Sequence, residues 1–302
     1  MIRARKRFGQ HFLEPAWVDK VIRAIDPKDH EVFIEIGPGR GALTRPLAAR
    51  AKAVTAYEID RDLAADLRAA AIPNLTIVEG DFLEQPASLK PTPDPAAPTP
   101  DPRTATPDPR AAIRVAGNLP YNVASPILFR VAALDAGRLR ITDATFMLQR
   151  EVADRLVASP GTREYGVLSV LLQHVADVQL LLKLPPGAFR PAPKVLSALV
   201  RLRFHPPDPP VNDTALFGAL VQAVFTRRRK TLANALLAFG GRESDIRGRE
   251  SDIGRPDNRL PTPGNRLPTP AQALADTGID GRRRPETLTV AEFARLADFY
   301  AG

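Results

Sequence analysis

The residues best suited to chemistry lie in one short stretch, Asn118-Leu119-Pro120-Tyr121, which follows an apolar run at 113–116. Asn118 offers an amide oxygen that accepts hydrogen bonds, and Leu119 and Pro120 offer main-chain carbonyls in a turn that proline stiffens. Tyr121 adds an aromatic face on which a flat ring can stack. A strand end with these groups is suited to hold a planar ring by its exocyclic amino group.

Three earlier strand ends also carry glycine or acidic residues. The sequence predicts strands over 32–36, 53–57, 75–78 and 113–116, with helices between them. Gly37, Glu58 and Asp81 follow the first three strands as Asn118 follows the fourth. The predicted fold class is therefore α/β, with a Rossmann-like, mostly parallel sheet. Ligands of such sheets bind at the carboxyl ends of the strands, so these residues indicate one site.

The glycine turn, Gly37-Pro38-Gly39-Arg40-Gly41, joins the first strand to a helix. Glycines allow close approach of the main chain to a ligand, and Gly37 and Gly39 are candidate cofactor contacts. The spacing differs from that of dinucleotide sites, and no Lys-Ser/Thr follows as in a phosphate-binding loop. Glu58, about 20 residues further on, is placed as the acid that binds a ribose diol.

Composition narrows the class of protein. The 302 residues include no cysteine and four histidines without metal-ligand spacing, so we expect no metal. No apolar run is long enough to cross a membrane, and no secretion signal follows the basic start, so we expect a cytoplasmic protein, and a monomer. The net charge of +8 favours an anionic partner.

Basic residues cluster at two places outside the predicted sheet. The N-terminal arm, 1–13, contains Arg5, Lys6 and Arg7 beside aromatic residues. A proline-rich linker at 206–211 then separates a first domain, 1–205, from a helical domain, 212–302, in which Arg227-Arg228-Arg229-Lys230 lies between two helices. Both clusters are candidate phosphate contacts.

Two segments of low complexity interrupt these domains. Thr-Pro-Asp-Pro occurs three times within 84–111, and 242–270 contains duplicated Arg-Glu-Ser-Asp-Ile and Asn-Arg-Leu-Pro-Thr-Pro. Proline excludes regular helix or sheet from the first segment, and we interpret both as surface insertions.

Several of these motifs together resemble a known family. Asn118–Tyr121 with the glycine turn is similar to the S-adenosylmethionine-dependent methyltransferases that modify exocyclic amino groups. The remaining motifs narrow the resemblance to the small-subunit ribosomal RNA adenine dimethyltransferases. They are Lys6–Leu13, Phe146–Val152, Tyr165-Gly166, Phe189–Val195 with Ser197-Ala198, and Arg227–Leu232.

The resemblance implies both the cofactor and its contacts. S-adenosylmethionine would be bound by His11, Leu13, Gly37, Gly39, Glu58, Asp81 and Asn118. Glu58 would take the ribose hydroxyls and Asp81 the amino group of the cofactor's adenine. The strands predicted at 178–184 and 195–204 would form the antiparallel edge of the methyltransferase sheet.

The implied reaction gives roles to the residues of Asn118–Tyr121. The N6 lone pair of adenine is delocalised, so hydrogen bonds from N6 to Asn118 and to the carbonyl of Leu119 or Pro120 would aim it at the methyl group. Tyr121 would stack on the base, and Phe189 would close its other face. The implied substrate is a pair of adjacent adenosines near the 3′ end of small-subunit ribosomal RNA, on an immature subunit.

Two alternatives stay open at this point. One is a methyltransferase that acts on DNA adenine or on protein glutamine, because the same four residues suit any flat amino group. The other is a non-catalytic assembly factor that retains the fold, although Glu58, Asp81 and Asn118 are all present.

Overall fold

The computed structural model describes residues 11–85, 112–137, 140–240 and 268–302. Both predicted insertions lie largely outside these ranges, as do Arg5, Lys6 and Arg7. Contacts divide the chain into two units. The first comprises Met1–Val157 and Ala176–Phe204, and the second comprises Ala158–Val175 and His205–Gly302.

The first unit is built on a seven-stranded sheet. Its strands are β2 (Val32–Ile36), β3 (Ala53–Glu58), β4 (Leu75–Glu79), β5 (Ile113–Asn118), β6 (Ile141–Gln149), β7 (Ala176–Leu184) and β9 (Ser197–Phe204). The order across the sheet is β4-β3-β2-β5-β6-β9-β7. The first five strands of that order are parallel, whereas β9 is antiparallel to β6 and β7. The predicted fold class, including the antiparallel edge, is confirmed.

Helices alternate with most of the parallel strands along the chain, as expected for a parallel sheet that helices cover. They are α1 (Pro15–Ile25), α2 (Thr44–Ala48), α3 (Arg61–Ala69), α4 (Ala124–Gly137) and α5 (Arg150–Leu156). Pro15 occupies the first turn of α1, where its missing N–H costs nothing, and Asp60 caps α3 through the N–H of Asp62. The apolar face of α1 packs in a core that Phe33, Leu47 and Val54 share.

A two-stranded sheet holds the beginning of the described chain. β1 (Phe12–Leu13) pairs antiparallel with β8 (Phe189–Arg190), so that Leu13 lies opposite Phe189. This pairing fixes the segment that precedes α1 beside the carboxyl ends of the main sheet.

The second unit is helical. It contains α6 (Val167–Gln173), α7 (Thr214–Phe225), α8 (Leu232–Gly240), α9 (Pro270–Thr277) and α10 (Val290–Ala301). The sequence analysis placed residues 158–175 in the first domain, but Tyr165 and Val170 pack in the core of this unit with Phe217 and Phe293. The predicted second insertion, 242–270, also overlaps the start of α9. Pro270 is the first residue of that helix, and Thr269 caps it in a capping box with Gln272.

Candidate active site

Four loops meet at the carboxyl edge of the sheet around a cavity of about 290 Å³. Neighbouring register pairs bring the strand ends together: Ile36 lies opposite both Tyr57 and Gly117, and Glu58 lies opposite Glu79. The cavity is lined by most of the residues that the sequence analysis assigned to the cofactor and the base: His11, Leu13, Gly37, Gly39, Glu58, Asp81, Asn118, Leu119, Pro120 and Tyr121.

The glycine turn is held in place by the acid at the end of β3. Gly37 and Gly39 adopt φ values of +68° and +60°, which favour glycine. The N–H of Gly39 donates to Oε2 of Glu58 over 2.9 Å, and the N–H of Asp60 donates to Oε1 over 2.9 Å. Burial raises the pKa of Glu58, while these two hydrogen bonds oppose the shift. The carboxylate has about four lone-pair sites, so it can still accept a hydrogen bond from a ligand.

Asp81 lies just beyond β4 and borders the same cavity. Its Oδ1 accepts from the N–H of Leu83 over 2.9 Å, which starts a short 3-10 helix at Phe82–Glu84. Oδ2 accepts no hydrogen bond from the residues that the structure describes, and this leaves one carboxylate oxygen for a ligand.

The amide of Asn118 has a fixed orientation. Its Nδ2 donates to the main-chain oxygen of His11 over 2.7 Å. Because a carbonyl oxygen can only accept, the nitrogen must face His11 and Oδ1 must point away from it. Within the described ranges, Oδ1 of Asn118 has no hydrogen-bond donor, so it is available as an acceptor.

The main-chain carbonyls of Leu119 and Pro120 differ in their hydrogen bonding. The oxygen of Pro120 accepts from the N–H of Val123 over 3.1 Å within the turn, whereas the N–H of Leu119 donates to the oxygen of Met147 over 3.2 Å. No described residue donates to the carbonyl of Leu119. Of the two carbonyls that the sequence analysis left open, that of Leu119 is therefore the better second acceptor.

Tyr121 is held at both ends of its side chain. Its hydroxyl lies 2.8 Å from Oγ of Ser197, and its ring stacks on the ring of His11 with centroids 5.5 Å apart and planes 24° apart. Nδ1 of His11 in turn donates to the oxygen of Pro191 over 2.7 Å. Burial raises the pKa of Tyr121, so the phenol stays protonated at neutral pH.

Phe189 does not share this site. It is 1% exposed and packs in the core with Leu13 and Ala188, and it is not part of the cavity wall. That Phe189 closes the second face of the base stays a prediction. Residue type alone does not distinguish a core phenylalanine from a stacking one.

One lining residue, Glu35, was not assigned a role from the sequence. It lies inside β2, is 1% exposed, and has no hydrogen-bond partner for Oε2 among the described residues. Burial raises its pKa to about 8. The signal in the sequence was a single acid in an otherwise apolar strand, Val32-Phe33-Ile34-Glu35-Ile36.

Phe12 and Arg40 complete the wall of the cavity. The guanidinium of Arg40 lies 4.2 Å from the ring centroid of Phe12, and a Cβ on Gly39 would approach that ring to 3.2 Å. A side chain at position 39 would therefore require the Phe12 ring to shift by a few tenths of an ångström.

The basic run of the second unit lines a separate cavity of about 440 Å³, together with Thr226, Asn234 and Leu237. Arg227, Arg229 and Lys230 border this cavity. Arg228 lines the cavity as well, and it also pairs with Glu286 over 3.3 Å and donates to the carbonyl of Arg163 over 2.9 Å. Arg227 donates to the carbonyl of Asn234 over 3.3 Å, so both Arg227 and Arg228 also make contacts within the unit.

Comparison with known families decides the class of this site. The sequence profile described as ribosomal RNA adenine dimethylase matches residues 1–252. The chain belongs to this family. The ribosomal RNA small subunit methyltransferase A of Acinetobacter baylyi is 39% identical over 300 residues, covering 98% of this chain and 92% of that protein. The protein of the same name from Aromatoleum aromaticum is 46% identical over 237 residues, covering 78% and 81% of the two chains.

Two solved structures share the fold of this dimethylase family member. A dimethyladenosine transferase from Plasmodium falciparum superposes with a TM-score of 0.67 and 23% identity, over 95% of this chain and 96% of that one. The 23S rRNA methyltransferase ErmE superposes with a TM-score of 0.58 and 24% identity, over 96% and 100%. The family resemblance read from the motifs is confirmed by the matching profile and by the relatives named above.

The described residues contain no helix long and apolar enough to cross a membrane. They also contain no cluster of three or more histidine, aspartate or glutamate side chains that could hold a metal ion.

Proposed function

We propose that this dimethylase transfers methyl groups from S-adenosylmethionine to N6 of two adjacent adenosines near the 3′ end of small-subunit ribosomal RNA. We place it on an immature small subunit in the cytoplasm, where it acts as a monomer. The observation that carries the proposal is the amide of Asn118, oriented by His11 at the edge of a cavity that Glu35, Glu58 and Asp81 line.

The charge of the cavity fits this cofactor. Glu58 and Asp81 line it as acids, Glu35 adds a buried carboxyl, and Arg40 is the only arginine or lysine on the described wall. S-adenosylmethionine supplies a methyl group on a positively charged sulfonium, and it also carries an ammonium group. Acidic walls stabilise such a ligand and disfavour the polyphosphate of a dinucleotide. Oε2 of Glu35, buried without a partner among the described residues, is suited to form a hydrogen bond with a bound ligand.

Asn118 and Leu119 prepare the nucleophile. Oδ1 of Asn118 and the carbonyl oxygen of Leu119 accept the two hydrogens of N6 and so favour a pyramidal nitrogen with a directed lone pair. Their positions are set in advance, by the hydrogen bond to His11 and by the pairing of Leu119 with Met147. Preorganised polar groups of this kind supply much of the rate of an enzyme. After one methylation, the remaining N–H still has an acceptor.

Tyr121 offers one face to the base. Its other face is covered by His11. The hydrogen bond to Ser197 holds the ring in place, so the base stacks on a surface that is already ordered. Stacking of a base on an aromatic ring contributes about 1–3 kcal/mol.

The RNA is held partly by cations of the second unit and of the N-terminal arm. Arg227, Arg229 and Lys230 form a group in the second unit, and Arg5, Lys6 and Arg7 of the N-terminal arm would add to it. Cations grouped in this way bind a phosphate backbone without reading its sequence.

Substrate competition tests the proposal against a DNA adenine or protein glutamine methyltransferase. Labelled S-adenosylmethionine is supplied with unmodified small subunits, and single-stranded DNA or a glutamine-containing peptide is added in excess. We expect label in ribosomal RNA at an undiminished rate. Preferential labelling of the DNA or the peptide contradicts the proposal. A non-catalytic assembly factor would show neither transfer nor measurable affinity for the cofactor.

A further inference from the structure

Beside the candidate active site, the loop from Arg190 to Leu196 leaves two apolar side chains in solvent. Val195 and Leu196, here termed the apolar shelf, are 43% and 54% exposed. Only five large hydrophobic residues of the described chain are exposed to such a degree, and these two are consecutive. Neighbouring apolar groups in water are a source of binding free energy for a partner that covers them.

The loop that carries the shelf is tied to the catalytic residues at both ends. The oxygen of Pro191 accepts from Nδ1 of His11 over 2.7 Å, and Oγ of Ser197 lies 2.8 Å from the hydroxyl of Tyr121. Leu196 is the residue before Ser197, and consecutive Cα atoms are about 3.8 Å apart. The shelf therefore adjoins the residue that holds the stacking ring in place.

The main chain of this loop is also restrained between its ends. The oxygen of Leu196 accepts from the N–H of Arg150 at the start of α5 over 2.9 Å. Pro191 and Pro193 each fix a backbone angle and reduce the freedom that the loop would lose on binding. The shelf is thus presented on a stiff support, as a preformed binding surface requires.

Cations flank the shelf and identify the kind of partner. Lys194 is exposed next to Val195 and forms no ion pair with any described residue. Arg190 has a side chain that is 68% exposed and lies 3.5 Å from Glu14. An apolar surface bordered by positive charge matches a nucleotide, whose base is flat and apolar on its faces and whose phosphate is negative.

We propose that the apolar shelf, with Lys194 and Arg190, binds the nucleotide that adjoins the target adenosine in the single-stranded RNA. The inference rests on the proposed function, because it assumes that an adenosine occupies the cavity. The base of the neighbouring nucleotide packs on Val195 and Leu196, and its phosphate lies near Lys194. The loop then selects a splayed, single-stranded segment over a duplex, in which neighbouring bases are stacked and paired.

The first test is the double variant Val195→Ser/Leu196→Ser, assayed for methyl transfer to unmodified small subunits. Loss of two partly covered apolar side chains should raise the KM for the subunits by about 5- to 20-fold. The affinity for S-adenosylmethionine, measured by calorimetry without RNA, should stay within about 2-fold of wild type. Val157→Ser is the matched control, because Val157 is 37% exposed and lies outside this loop.

An unchanged KM, or the same change in Val157→Ser, overturns the proposal. Loss of cofactor affinity in the double variant also overturns it, since the loop would then support the site from within. If the wild-type protein transfers no methyl groups at all, the proposed function itself has failed. If the wild-type protein is active and the double variant has the same KM, only the proposal about the shelf has failed.

The second test identifies the occupant directly. A photoreactive benzoylphenylalanine in place of Leu196 is irradiated with unmodified small subunits in the presence of the cofactor. The proposal expects crosslinks to ribosomal RNA at a nucleotide next to a methylated adenosine. Crosslinks to a ribosomal protein, or to RNA far from the methylated residues, overturn it.

Discussion

At the scale of single residues, the mechanism depends on one oriented amide. Asn118 lies at the last position of β5, and its Nδ2 is occupied by His11. The orientation follows from chemistry, because only the nitrogen can donate to a carbonyl oxygen. The side chain therefore reaches the cavity as an acceptor before any substrate arrives.

Asn118→Ala should lower kcat by about 100- to 1,000-fold, the cost of losing one oriented polar group at a reaction centre. Binding of RNA should change little, since the phosphate contacts lie elsewhere. The measurement is single-turnover methyl transfer together with RNA affinity. Asn212→Ala makes the same chemical change at an exposed position and should behave as wild type. Comparable turnover in the two variants would remove Asn118 from the mechanism.

Glu35 predicts a dependence of stability on pH. Burial raises the pKa of its carboxyl from 4.5 to about 8, so between these values only the folded state holds the proton. The contribution of Glu35 to the free energy of unfolding, measured without cofactor, should therefore be greatest below pH 4.5. It should fall as the pH rises towards 8. Glu35→Gln should flatten this fall and exceed wild type in stability above about pH 8.

Urea denaturation at several pH values checks this prediction. Glu79→Gln is the contrasting variant. Arg68 and Arg61 lower the pKa of the Glu79 carboxylate, so this group stabilises the fold at pH values above its titration range and loses that effect as the pH falls through it. Glu79→Gln should keep the fall that Glu35 causes. Equal pH profiles for wild type and Glu35→Gln would show that Glu35 is ionised in the folded protein.

At the scale of elements, close approach of β2 and β5 positions the site. Gly117 lies opposite Ile36, and a Cβ at Gly117 would come within 2.5 Å of the Ile36 oxygen. Neither strand can move away without loss of the parallel ladder. A glycine at position 117 is thus required immediately before Asn118.

Gly117→Ala should lower the free energy of unfolding by about 1–3 kcal/mol and reduce methyl transfer, because the strain displaces Asn118. Gly187→Ala is the matched control in the same unit, since a Cβ there meets nothing within 4 Å. Chemical denaturation and turnover are measured for both. A Gly117→Ala protein as stable and active as Gly187→Ala would contradict the tight strand contact.

Most of this sheet could be predicted from sequence, because buried parallel strands leave unbroken apolar runs. The run at 32–36 coincides with β2, and that at 53–57 is one residue shorter than β3. The prediction failed where residue type was ambiguous. Val195 and Leu196 read as the start of a strand, but β9 begins at Ser197 and both side chains are exposed.

Parts of the site required three-dimensional information. The orientation of Asn118 depends on His11, which is remote in sequence, and the burial of Phe189 depends on its pairing with Leu13. Gly37, Glu58 and Asp81 do meet at one cavity, because parallel strands end at one edge. Their roles towards the cofactor stay predictions.

At the scale of the whole molecule, the two units divide the work that the proposal assigns. The first contains the cavity, and the second contains the cations at 227, 229 and 230. The affinity of electrostatic binding to RNA falls as the salt concentration rises. The slope of log affinity against log salt becomes steeper with each phosphate contact.

Arg229→Gln/Lys230→Gln should weaken binding to small-subunit RNA and reduce the slope of log affinity against log salt by about 1 for each phosphate that is no longer bound. Cofactor affinity should be unaffected. Arg282→Gln is the control, because its side chain is 91% exposed in the same unit but lies outside the basic run. A slope identical to that of the control would exclude these two residues from the RNA interface.

The most direct test of the central claim is nucleoside analysis of the product. Unmodified small subunits are incubated with S-adenosylmethionine and either wild-type or Asn118→Ala protein, and the ribosomal RNA is digested and analysed by mass spectrometry. We predict N6,N6-dimethyladenosine at two adjacent positions near the 3′ end with wild type, and none with Asn118→Ala in the same time. Absence of dimethyladenosine with wild-type protein, or equal amounts with both proteins, would contradict the proposed mechanism.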